Sequence, residues 1–241
     1  MWGSKRTTGR SQAWTLRSSL RFWRPEIVAE QSSADLRAAF GPVRDQGRRP
    51  TCLVFAASSA HEHARNHSEA LSPEALFAGA KRRDGMPATV GTTMSAALTP
   101  VEEDGQCDER AWPYGDAAAT DAEATYYRAR GTARIRSGLV DTARKGLDDG
   151  TASLVVLRVT DGWFGVGNDG VIPGPSAVDQ LEGLHAIVAV GYDDSRKHLI
   201  IRNSWGSGWG DGGYAWLSYE YLDRYGVEMV SLEAVPSAAN A

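Results

Sequence analysis

The chain has 241 residues and a mass of 26.0 kDa, is 42% hydrophobic and 23% charged, and has a mean hydropathy of −0.36, which excludes a disordered or fibrous polymer. Its two cysteines, Cys52 and Cys107, exclude a disulfide-rich scaffold and a four-cysteine zinc site, and suit a reducing compartment. A net charge of −4 argues against general nucleic-acid binding.

The charge is unevenly spread. Residues 1–25 hold Lys5, Arg6, Arg10, Arg17, Arg21 and Arg24 and no acid, so residues 26–241 carry −10. Residues 1–32 therefore read as a basic N-terminal arm, with Trp2, Trp14, Phe22 and Trp23 among its charges. It lacks the apolar core of a secretory signal, and no run reaches the ~18–20 apolar residues of a membrane span. The expectation is a cytoplasmic protein with no integral membrane association. The sequence names no partner for the arm.

The body, residues 33–241, begins with helical patterns. Cys52 to about His67 is Ala-rich and free of Gly and Pro, with Pro50 setting an extended entry. A second helix starts at Ser72 as N-cap with Pro73 in first position. A third follows Thr92 or Thr93, with an interruption expected near Pro100. Residues 121–129 and 141–148 are weaker helical candidates. The second half changes character. Residues 152–159, 185–192, 198–203, 214–219 and 226–233 are short, β-branched or aromatic, and bounded by Gly, Asp and Pro. Helices first and strands afterwards imply an α+β protein, with a helical lobe over about 40–120 and a β-rich lobe over about 130–235.

Two motifs fail. Gly165, Gly167 and Gly170 match G-x-G-x-x-G, but VIPGP follows where a helix should start, so this is a surface loop. His61, His63 and His67 crowd the first helix without the spacing of a zinc-protease motif, and read as a solvated face. Asp45, Asp193 and Asp194 read as turn acids.

One constellation survives. Cys52 opens a helix, where free N–H groups and the macrodipole favour a thiolate. Gln46 lies six residues upstream and can donate to an oxyanion beside the Cys52 N–H. His185 opens one apolar strand and Asn203 ends the next. Antiparallel pairing brings those two side by side, so the Asn amide can orient the imidazole.

These residues and their contexts strongly resemble the papain-like cysteine peptidases. The matching stretches are PVRDQG…TCLVFA (42–56), HAIVAVGY (185–192) and IRNSWGSGWGDGGYAWL (201–217). LSPEAL, GTTMSAAL and WPY fall in the family's order, so the resemblance covers roughly residues 33–220. It implies a two-lobed α+β fold with the cleft between the lobes. It implies Cys52 as nucleophile, His185 as acid/base, Asn203 as its orienter and Gln46 as oxyanion donor. Trp205 would shield the His185–Asn203 bond. Gly91, Thr92 and Leu184 would border the substrate. The implied activity is hydrolysis of peptide or protein substrates with no metal or organic cofactor. Transamidation, dedicated processing of one substrate, and peptide binding without catalysis are the alternatives on the same residues.

The departures are informative. The cysteine that the family places three residues before the nucleophile is Arg49 here. Pro50-Thr51 replaces the usual Gly-Ser, and Leu53 the usual Trp. The expectation is a disulfide-free bacterial branch without a long prosegment, in which Cys107 packs as a spare thiol.

Overall fold

The computed structural model describes residues 32–236. All of them belong to one unit, Gln31–Ala241. The predicted arm, residues 1–32, lies outside the described residues apart from its last residue.

Three helices come first: α1 (Cys52–Arg65), α2 (Pro73–Asp84) and α3 (Met94–Glu103). A short strand β1 (Ser33–Asp35) precedes them and β2 (Ala129–Gly131) follows. Then come α4 (Leu139–Asp148), β3 (Ser153–Thr160), β4 (Leu181–Asp193), β5 (His198–Arg202), β6 (Tyr214–Ser218), α5 (Tyr219–Tyr225) and β7 (Gly226–Ala234). The architecture is α+β.

Local chemistry explains the helix starts. The Ser72 side chain accepts from the Ala75 N–H at 3.1 Å, with Pro73 in the first turn, where no N–H is needed. Thr93 caps α3 in the same way through the Ala96 N–H at 3.2 Å. The expected interruption at Pro100 does not occur, and α3 runs through it. Pro100 instead packs against α2, so closely that a Cβ on Gly79 would lie 2.8 Å from its ring. Residues 121–129 are not helical; a short turn and an extended stretch, bridged to Gln106 at Tyr127, lead into β2 at Ala129. Helix α5 was not foreseen, because its seven aromatic-rich residues directly extend a strand pattern.

The strands form one antiparallel sheet of order β2-β7-β3-β4-β5-β6, and β1 adds onto the far end of β4. Both sheet faces are covered. Leu154, Val156, Ala186, Val188 and Val190 pack under α1–α3 with Val54, Phe55, Leu76, Phe77 and Leu98. The alternate residues Val155, Leu157, Val159, Ile187 and Ala189 meet Leu139, Leu147, Tyr221 and Leu222 of α4 and α5. This is why the strands read as continuous apolar runs and not as alternation. Each fully buried aliphatic side chain contributes about 1.5–3 kcal/mol through area removed from water.

Long-range stitching brings the two halves of the chain together at one place. The Gln46 N–H donates to the Ser204 carbonyl at 2.9 Å and the Gly206 N–H to the Arg44 carbonyl at 3.2 Å. Buried Arg202 holds the Gly41 and Pro42 carbonyls at 2.9 and 2.6 Å. Gly213 (φ +91°) completes the junction. A Cβ there would lie 2.5 Å from Val43, so the glycine is required by the close approach.

Candidate active site

Cys52 is the first residue of α1, so its N–H has no acceptor within the helix. The amide of Ala186 on β4 acts on its sulfur. The preceding residue on that strand, His185, is buried, and its Nε2 donates to Asn203 Oδ1 at 2.7 Å. The same oxygen accepts the Ser204 N–H at 2.8 Å, which fixes the amide's orientation. An acceptor at Nε2 makes that nitrogen the protonated one in neutral imidazole and leaves Nδ1 as the base. The His185–Asn203 pair follows from the sheet. Val188 on β4 pairs with Arg202 on β5, so His185 and Asn203 sit at the same end of adjacent strands.

Gln46 enters from the other half. Its Oε1 accepts from Ser204 Oγ at 2.7 Å and its Nε2 donates to the Arg49 carbonyl at 2.9 Å. An amide nitrogen carries two protons, so one donor remains. The Trp205 ring lies 4.7 Å from the His185 ring, tilted by 36°, and stacks on Phe164 at 5.6 Å. Trp163 and Trp209 complete this aromatic group.

Gln46, Cys52, Gly91, Thr92, Leu184, His185 and Trp205 all line one cleft of about 600 Å³. Asn203 stands behind His185 and does not line it. Every site residue expected from sequence is therefore brought to one place. Gly91 and Thr92 arrive with their polar groups engaged. The Gly91 carbonyl accepts from Lys81 Nζ at 2.6 Å, and the Thr92 hydroxyl donates to Asp84 at 2.6 Å. The cleft also exposes residues no sequence signal marked: Met94, Val156, Val159, Phe164, Glu182 and Glu228. Phe164 and Leu184 are more than half exposed on its rim. Only strand register and loop packing select these from the many similar residues in the chain.

Electrostatics corrects one expectation. Burial pushes the Cys52 thiol above its ordinary value, and the N–H groups of Ala186, Leu53 and Cys52 itself only partly oppose it. The helix start does not by itself yield a thiolate. Burial also holds His185 down at about 4, against the Asn203 bond, which favours the protonated ring.

The histidines of α1, with His67 just past its end, do not form a solvated face. His61 is fully buried, with Nδ1 3.0 Å from Gln106 Oε1, and burial holds it at about 4. His63 stacks on Phe40 at 4.9 Å, and His67 Nε2 meets Asp108 at 2.8 Å. Among the described residues, no cluster of three or more His, Cys, Asp or Glu side chains could hold a metal ion. Cys107 is a free, fully buried thiol packed with Ala75 and Ala111. Asp45 and Asp193 bond turn amides as expected, whereas Asp194 clamps Arg144 and Tyr219. No described helix is long and apolar enough to cross a membrane.

Comparison with known proteins identifies the family and the fold. The family model described as papain family cysteine protease matches residues 30–235. An uncharacterised peptidase C1-like protein of Acanthamoeba polyphaga mimivirus is 25% identical over 74% of this chain and 64% of its own length. Cathepsin K of Mus musculus is 29% identical over 77% of this chain and 58% of its own length. The chain thus spans less than two thirds of these relatives. Xylellain, a cysteine protease from Xylella fastidiosa, superposes with a TM-score of 0.72 at 28% identity, covering 86% of this chain and 88% of xylellain. A Carica candamarcensis cysteine protease, solved with E-64, shares the fold at a TM-score of 0.67 and 23% identity, over 84% of this chain and 98% of its own. The matched residues span nearly the whole described region, and the chain belongs to the papain family of cysteine proteases.

Proposed function

We propose that this chain hydrolyses peptide bonds, with Cys52 as nucleophile, His185 as acid and base, Asn203 as its orienter and Gln46 as oxyanion donor. The observation that carries the reading is one cleft in which Cys52, Gln46 and an Asn203-bonded His185 converge.

The protonation shifts support a paired proton transfer. Taken singly, burial opposes either charge, so thiol and imidazole both rest neutral. Moving the proton from Sγ to Nδ1 creates both charges together, and their attraction offsets the desolvation. The thiolate then attacks the substrate carbonyl carbon. The carbonyl oxygen takes the electron pair, facing the free Nε2 proton of Gln46 and the Cys52 N–H. The imidazolium gives its proton to the amide nitrogen, the C–N bond breaks and the amine leaves. His185 next takes a proton from water, whose oxygen attacks the thioester. Collapse expels the Cys52 thiolate, which recovers its proton, and releases the acid.

Labelling with a thiol-reactive epoxide, beside peptide hydrolysis by the wild type and Cys52→Ala, tests the reading. The expected result is label on Cys52 and none on buried Cys107, with turnover abolished in the variant. Hydrolysis retained by Cys52→Ala refutes it, as does acyl transfer to an amine as the main product by mass spectrometry.

A further inference from the structure

Arg49 stands three residues before Cys52 and does not line the cleft. Its guanidinium donates to both carboxylate oxygens of Glu74, at 2.5 and 2.9 Å. It also lies over the rings of Tyr114 and Phe77, at 4.7 and 5.1 Å. The Glu74 carboxylate is largely buried and additionally accepts the Gly115 N–H at 2.9 Å. A bidentate pair closed by aromatic faces has one geometry, unlike a loose surface ion pair.

The Arg49 backbone engages Gln46 directly. Its carbonyl accepts from Gln46 Nε2 at 2.9 Å and from the Thr51 N–H at 2.8 Å. The Tyr114 hydroxyl donates to the Gln46 carbonyl at 2.8 Å and meets Thr51 Oγ1 at 2.7 Å. The clamp and the ring stacked on it therefore hold both ends of the 46–51 turn. With Oε1 on Ser204 and one Nε2 proton on the Arg49 carbonyl, the plane of the Gln46 amide is determined.

We propose that Arg49 is a positioning residue for the reaction. Its clamp to Glu74, Tyr114 and Phe77 fixes the peptide carbonyl that aims the free Nε2 proton of Gln46 at the oxyanion. The inference rests on Gln46 being that donor.

A double-mutant cycle on the full chain tests it. Gln46→Ala, Arg49→Met and the double variant are compared on one fluorogenic peptide, with active sites counted by epoxide titration of Cys52. Gln46→Ala is expected to lower kcat about 10²–10³-fold, the usual loss of one oxyanion donor. Arg49→Met is expected to lower kcat about 10–100-fold with KM within about twofold, as for an interaction used in the transition state. In the Arg49→Met background, removing Gln46 should cost only about tenfold more, leaving the double variant no slower than Gln46→Ala alone, because Arg49 acts through that donor. Losses that multiply in folded, fully titratable variants overturn the role of Arg49 and leave Gln46 intact. An unchanged kcat in Gln46→Ala overturns the Gln46 reading and the inference with it. If Arg49→Met does not fold, Glu74→Gln removes the charge of the bidentate pair and keeps the aromatic packing. A kcat loss that fails to multiply with Gln46→Ala supports the clamp, and a multiplying one overturns it.

Discussion

Replacing Asn203 by Ala isolates the orienting bond of the site. The change deletes the 2.7 Å bond to His185 Nε2 and the 2.8 Å bond from the Ser204 N–H. Asn203 is buried and outside the cleft lining, so substrate contacts are untouched. A hydrogen bond to a group that becomes charged is worth about 1.5–3 kcal/mol. At ~1.4 kcal/mol per tenfold, kcat should fall about 10–150-fold while KM stays within about twofold. The acid limb of kcat/KM reports protonation of the neutral pair at His185. It should sit near pH 4 in the wild type. The Asn203 bond is the contribution that raises this value, so the limb should move to lower pH in the variant. The assay is steady-state hydrolysis of a fluorogenic peptide from pH 3.5 to 8, corrected by epoxide titration, with near-UV circular dichroism as the fold check. A folded variant with kcat within threefold of wild type would falsify the orienting role. So would an acid limb displaced upward.

Two further outcomes follow from residues outside the proposed catalytic set. Glu228 lines the cleft with its carboxylate largely buried, met among the described residues only by the exposed Arg136 at 3.3 Å. A cationic substrate side chain can replace that arginine, so Glu228→Gln should reduce preference for basic over neutral peptides about tenfold in kcat/KM; an unchanged library profile would count against it. His61 is held at about 4 by burial, below its ordinary 6.5. Between those values the unfolded chain binds the extra proton, so stability falls as pH drops from about 6.5 toward 4. The contribution is up to about 3 kcal/mol. His61→Gln should flatten that part of the curve in urea melts across pH, whereas an unaltered slope would assign the acid sensitivity elsewhere.

Much of the site was legible because its local signals are strong. Ser72-Pro73 and Thr93 mark helix starts by capping chemistry that acts within four residues. The strand runs around His185 and Asn203 are apolar enough to read as buried. Their pairing needs only that consecutive strands be antiparallel. Other features were not legible. His61 and His63 on α1 and His67 just beyond it carry polar side chains, and nothing local says that Gln106, Phe40 and Asp108 arrive to cover them. Pro100 predicts a break that α2 packing overrides.

The sequence by itself determined the chemistry: a thiol at a helix start, a histidine and an asparagine on consecutive strands, and a glutamine upstream. Capping, apolar periodicity and turn residues are local, so residue order suffices to read them. Only the tertiary structure decided the direction of the pKa shifts and the walls of the cleft. Desolvation outweighs the helix N–H groups at Cys52, and that balance depends on what packs around the sulfur. Glu228, Phe164 and Val159 become cleft residues because strands and loops distant in sequence bring them opposite α1. The Arg49 clamp likewise exists only once Glu74, Phe77 and Tyr114 have folded around it.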